Sequence, residues 1–101
     1  MVPTISEEAE RMIVTVAKIA DMDQFLKTFS TKGVAKRREH GCTGARVFLD
    51  PDDQSRVWVV FEWKAEDYEG FLADPEIPAI ARELGLQGPP VHAISIAEYD
   101  S

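Results

Sequence analysis

Residues 51–55, Pro-Asp-Asp-Gln-Ser, turn the chain back on itself, and that reversal constrains every segment around it. Proline presets a turn angle, and Asp and Ser side chains bond to their own backbone nearby. On the far side, Arg56 to Lys64 carries Val57, Trp58, Val59, Val60, Phe61 and Trp63, residues that suit a pleated surface. On the near side, about Thr43 to Asp50 reads as a strand. So short a link makes the two an antiparallel hairpin.

The flanking segments mirror each other. Upstream, Met12 to Ile19 is β-branched and free of turn residues, which predicts a buried strand. Asp21 then supplies an N-cap, and Phe25, Leu26 and Phe29 follow at helical spacing. This helix is predicted to reach Glu39 or His40, loosened near Gly33, with Gly41 as a left-handed C-cap. Downstream, Glu66 and Asp67 open a second helix bearing Tyr68, Phe71 and Leu72. Asp74-Pro75 and Pro78 split it into two short segments, the second running through Ile80 and Leu84 to Gly85. A last strand is predicted over Val91 to Tyr99. The order βαββαβ is the ferredoxin-like α+β arrangement, a four-stranded antiparallel sheet with its helices on one face.

The chain's 101 residues fit one domain at residues 11–101 behind a short tail at 1–10. A net charge of −7 without a clustered basic face excludes nucleic acid as the main partner. The first ten residues have no apolar run and no stretch nears membrane-spanning length, so neither a secretory signal nor a membrane span is expected. One cysteine makes no internal disulfide, which predicts a reducing, cytoplasmic setting.

Sorting the strands by their period of two gives a nearly pure apolar set: Val14 and Val16; Ala45, Val47 and Leu49; Val57, Val59, Phe61 and Trp63; Val91 and Ala93. It is expected under the helices. The alternate set holds Ile13, Thr15, Ala17, Arg46, Phe48, Trp58, Val60, Glu62, His92 and Ile94. That face is too apolar to leave in water. It predicts a homodimer packed through this face, enclosing a pocket for a hydrophobic or aromatic small molecule.

The stretch Glu39-His40-Gly41-Cys42-Thr43-Gly44, the strand ending at Trp63, and Phe71-Leu72-Ala73-Asp74-Pro75 resemble the dimeric α+β barrel proteins, and among them the antibiotic biosynthesis monooxygenase-like family. The resemblance covers residues 11 to 99. It implies a cofactor-independent monooxygenase- or cyclase-like enzyme of aromatic or polyketide substrates, or a non-catalytic small-molecule-binding relative. It implies Trp63 and Phe71 as motif positions, although the face sorting places Trp63 in the core. Where haem-degrading members carry an iron-binding His, this chain has Ala79-Ile80-Ala81-Arg82, so haem degradation is not expected.

The polar members of the alternate set are the candidate chemistry. His92 is the candidate general base, Glu62 its orienting partner, and Arg46 the stabiliser of an enolate or oxyanion. Trp58 and Phe48 would stack on a planar substrate, with Thr15 beside them. The rival reading pairs Arg46 with Glu62 as ions and leaves His92 at the rim. Lys36-Arg37-Arg38 reads as a solvated face favoured by the helix dipole, with an anion or nucleic-acid contact as the alternative. His40 and Cys42 lack the further ligands a metal requires, so no metal and no cofactor is expected.

Overall fold

The computed structural model describes residues 11–100, and the predicted tail at 1–10 lies outside that range. Strand β1 spans Met12–Lys18, α1 Met22–Thr28, α2 Val34–Glu39, β2 Gly44–Leu49, β3 Arg56–Glu62, α3 Ala65–Ala73, α4 Ile77–Leu84 and β4 Val91–Ile94. The four strands form one antiparallel sheet in the order β2-β3-β1-β4, the ferredoxin-like α+β arrangement.

The punctuation falls where the residues predict it. Asp21 accepts the N–H of Gln24 at 2.8 Å and caps α1. Between α1 and α2 the helix widens into one π turn over Phe29–Gly33, the predicted loosening. Gly41 (φ 90°) and Gly85 (φ 75°) end α2 and α4 in the left-handed region, where a Cβ would be strained. Asp74 stops α3 and accepts the N–H of Glu76 at 2.9 Å, and Pro78 sits in the first turn of α4.

Two expectations are corrected. The last strand is Val91–Ile94, not Val91 to Tyr99. It pairs only with β1, which begins at Met12, and the ladder ends with Ser95 N–H on Met12 O at 2.8 Å. The face sorting is right for β2 and β3 but inverted for β1 and β4. Directly opposed residues share a face. The pairs Ile13–Phe61, Thr15–Val59 and Ala17–Val57 therefore place Ile13, Thr15 and Ala17 under the helices. Likewise Ile13–Ile94 and Thr15–His92 turn Ile94 and His92 to that side. Val14, Val16, Val91 and Ala93 go to the open face instead.

The inversion has a physical cause. Both alternations of β1 are apolar or β-branched, so its period of two carries no preference. Apart from the terminal Lys18, the one polar member, Thr15, is buried because its Oγ1 donates to Val59 O at 3.3 Å. The core comprises Ile13, Ile19, Phe25, Val57, Val59, Phe61, Trp63 and Tyr68, with Cys42 at its edge.

Candidate functional site

A cavity of about 130 Å³ lies between the sheet and its own helices. That is several times the space one water needs, about 10–15 Å³ on this measure. Thr15, Ala17, Val57, Val59 and Phe61 form its floor, Phe25 and Phe29 one wall, and Tyr68, Phe71, Leu72, Ile77, Ile80 and Leu84 the roof. This cavity lies under the helices, on the other side of the sheet from the pocket expected on the uncovered face. The α3–α4 break leaves room for it: two short helices with a bend at Asp74 cover the sheet less tightly than one straight helix would.

An aromatic cluster adjoins the cavity. Trp63, completely buried, lies 4.9 Å from Phe71, 5.2 Å from Phe61 and 5.3 Å from Tyr68 between ring centroids. Its indole N–H has no hydrogen-bond partner among the described residues. Leaving such a donor buried costs about 1–3 kcal/mol. Burial pushes the Tyr68 phenol up to about 12, so it stays protonated and acts as a donor. Beyond Tyr68, the His92 ring stands edge-on at 5.0 Å between centroids.

The predicted site residues separate onto two faces. Thr15 and Phe71 line the cavity, Trp63 stands behind its wall as core, and His92, exposed on β4, meets the lining residue Tyr68 without lining the cavity itself. Arg46, Glu62, Phe48 and Trp58 lie on the opposite, open face. Glu62 therefore does not orient His92 within the protomer, and Arg46 does not face it. The rival Arg46–Glu62 ion pair does not form either; Glu62 instead approaches the Thr43 hydroxyl at 3.5 Å. Trp58 donates its indole N–H to Asp50 at 2.8 Å. Arg46 and Phe48 border a pocket of about 500 Å³ on the open face with Met12, Gly44, Val60 and Glu62.

Two residues of the cationic run are not solvated. Lys36 and Arg37 are buried, and only Arg38 is exposed. Lys36 Nζ reaches Asp74 at 3.1 Å, Glu39 at 3.1 Å and Glu76 at 3.0 Å, which raises its pKa further above the usual lysine range. His40 Nε2 is 2.9 Å from Asp74 Oδ2. Glu39, His40 and Asp74 bring ligand-type atoms within 4.8 Å of one another. The Lys36 ammonium sits among them and supplies the positive charge. The cluster ties α2 to the elbow between α3 and α4. No spacing in the sequence connects Lys36 with Asp74; the tertiary fold does.

The same contacts predict acid lability. The His40 hydrogen bond, the Glu76 N–H and Lys36 hold Asp74 well below the usual carboxylate range. The Ser55 hydroxyl and N–H hold Asp53 at about 2, and the Trp58 indole with the Asp52 N–H lowers Asp50. Depressed carboxyls stabilise the fold above their unfolded pKa, near 4, and that contribution is lost as pH falls through the folded values. The thermal midpoint is expected to be flat from about pH 7 to about pH 5 and to fall below about pH 4. Asp74→Asn is expected to shallow that fall in a pH series of melting curves; an unchanged slope would remove Asp74 from the account.

No protein-family model matches the sequence, and no curated protein matches it significantly. Solved structures do match in fold. One is SnoaB, a cofactor-independent oxygenase from Streptomyces nogalater, at TM-score 0.67 and 16% identity, covering 87% of this chain and 92% of that one. A structure described as an antibiotic biosynthesis monooxygenase matches at TM-score 0.61 and 17% identity, over 87% of this chain and 98% of its own. Protein Atu4242 from Agrobacterium tumefaciens matches at TM-score 0.63 and 14% identity, over 89% and 95%. At these identities the likeness establishes the fold, that of antibiotic biosynthesis monooxygenase-like α+β proteins. Among the described residues, no helix is long and apolar enough to cross a membrane.

Proposed function

We propose that the protein binds a planar, mainly apolar small molecule of aromatic or polyketide type under its helices. There it acts as a cofactor-independent monooxygenase- or cyclase-like enzyme. The cavity carries this reading: its walls are apolar, and the protonated Tyr68 phenol among them is a donor for a ligand oxygen. The fold shared with a cofactor-independent oxygenase supports it. His92, outside the cavity lining but edge-on to Tyr68, takes a proton from an activated methylene or phenol that extends past Tyr68, and the Tyr68 hydroxyl donates to the resulting enolate oxygen. The carbanion then attacks an internal carbonyl, or it reacts with dioxygen. In the second case one oxygen atom becomes the new carbonyl, and the other leaves as water with the two methylene hydrogens.

The test is oxygen uptake with an anthrone- or hydroquinone-type compound. Protein-dependent consumption, one dioxygen per anthrone converted, is the expected result. Binding of the compound without uptake or cyclisation would favour a non-catalytic binding protein. One observation favours that second reading: no carboxylate or imidazole lines the cavity itself.

We also propose that two copies pack through the open sheet face. The row Phe48–Trp58–Val16–Val91 runs across it, with Phe48 45%, Trp58 38% and Val91 69% exposed in the single chain. Sedimentation at micromolar concentration should give twice the chain mass. The single, buried Cys42 suits a reducing cytoplasm.

A further inference from the structure

We propose that Arg37 forms an anion-binding subsite at the cavity, so that the preferred ligand is an aromatic acid: a flat apolar body bearing a carboxylate. This rests on the reading of that cavity as a ligand site and adds the charge of what it takes.

Arg37 lines the cavity and is only 7% exposed. A buried guanidinium is ordinarily paired with a carboxylate, because desolvating an unpaired charge is costly. Here no carboxylate among the described residues pairs with it. Its partners are the Phe29 carbonyl, which accepts from Nη1 at 3.1 Å, and the Phe29 ring, whose centroid lies 3.8 Å from Cζ. The Cys42 thiol donates to Gly44 O at 3.2 Å. Burial lowers the pKa of Arg37, the adjacent Cys42 raises it and Arg38 lowers it. A guanidinium carries several N–H donors, and one is used.

The backbone is shaped around this group. A Cβ on Gly33 would stand 2.8 Å from Arg37 Nη1 and 3.3 Å from Thr28 O, so a larger residue there would push the guanidinium aside. Gly33 ends the π turn over Phe29–Gly33, and such turns recur at functional sites. A mid-helix glycine and a widened turn both disfavour a regular helix. Together they seat an uncompensated cation against an otherwise apolar chamber. A ligand anion there would complete a charge-assisted, bidentate pair in a low-dielectric setting.

The test compares 2-naphthoate with its uncharged analogue 2-acetonaphthone, titrated calorimetrically against the full chain. The native protein is expected to bind the carboxylate about tenfold or more tightly, the size of one charge-assisted hydrogen bond. Arg37→Met is expected to abolish that preference while keeping affinity for the ketone, and Arg37→Lys to restore part of it. Equal binding of both compounds by the native protein would overturn the anion subsite and leave the cavity reading intact. Binding of neither would overturn both. The native comparison decides the matter even where Arg37→Met fails to fold.

Discussion

Trp63→Ala is expected to cost about 3–5 kcal/mol of stability, read from urea denaturation. A domain of this size has about 5–15 kcal/mol in total, so the loss takes a large share of it and should lower the urea midpoint sharply. The reason is geometric. Trp63 is completely buried and touches Phe61, Tyr68 and Phe71, so truncation empties the centre of the aromatic cluster. Trp63→Phe separates packing from chemistry. It keeps a ring and removes an indole N–H that has no partner among the described residues. The lost volume and the relieved donor offset one another, so stability should stay within about 1 kcal/mol of native. Affinity for ligands of the cavity should stay unchanged, because Trp63 is not among the residues that line it. A fall in affinity in Trp63→Phe would show that the indole reaches the ligand.

Oxygen uptake with an anthrone-type substrate is expected to drop by about 10²-fold or more in His92→Ala, the size of a lost general base. Glu62→Gln, on the opposite sheet face, should leave the rate unchanged. This contrast follows from the strand register, which places His92 opposite Thr15 under the helices and Glu62 beside Gly44 on the open side. An equal loss in both variants would show that the open face takes part, and a full rate in His92→Ala would remove the imidazole from the mechanism.

Much of the frame was readable because its signals are local. The Pro51–Ser55 turn, the Asp21 cap, the glycines that end α2 and α4, and the Asp74-Pro75 break each act within a few residues. Even the loosening near Gly33 was visible, since glycine weakens a helix wherever it stands. Strand alternation was readable in β3, where Trp58 and Glu62 contrast with Val57, Val59 and Phe61. It was unreadable in β1, where isoleucine, threonine and alanine face valines, and in β4, where only His92 breaks an apolar run. A polar residue is a poor guide to solvent when it can bond across the sheet, as Thr15 does with Val59 O.

The candidate site divided along the same line. Phe71, Thr15 and Trp63 were found by pattern and resemblance, and they lie at or beside the cavity. Tyr68 and Arg37 were passed over as plain core and as part of a solvated run. Both looked ordinary because their significance is a missing partner, and no spacing in a chain announces that. Lys36 likewise meets Asp74 only when α2 reaches the elbow after α3.

The sequence by itself determined the order of strands and helices, most of their ends though not that of β4, and the presence of apolar residues on both sides of one sheet. These follow from backbone sterics, capping and side-chain volume, which act at short range. Only the tertiary structure decided which side of β1 and β4 the helices cover. That choice turns on the summed packing of Ile13, Thr15 and Ala17 against Val57, Val59 and Phe61, and of all of them against the helices. It placed the cavity under the helices and separated His92 from Glu62 and Arg46. It also left the Arg37 guanidinium without a carboxylate among the described residues, because charge pairing between distant segments is settled only when they meet.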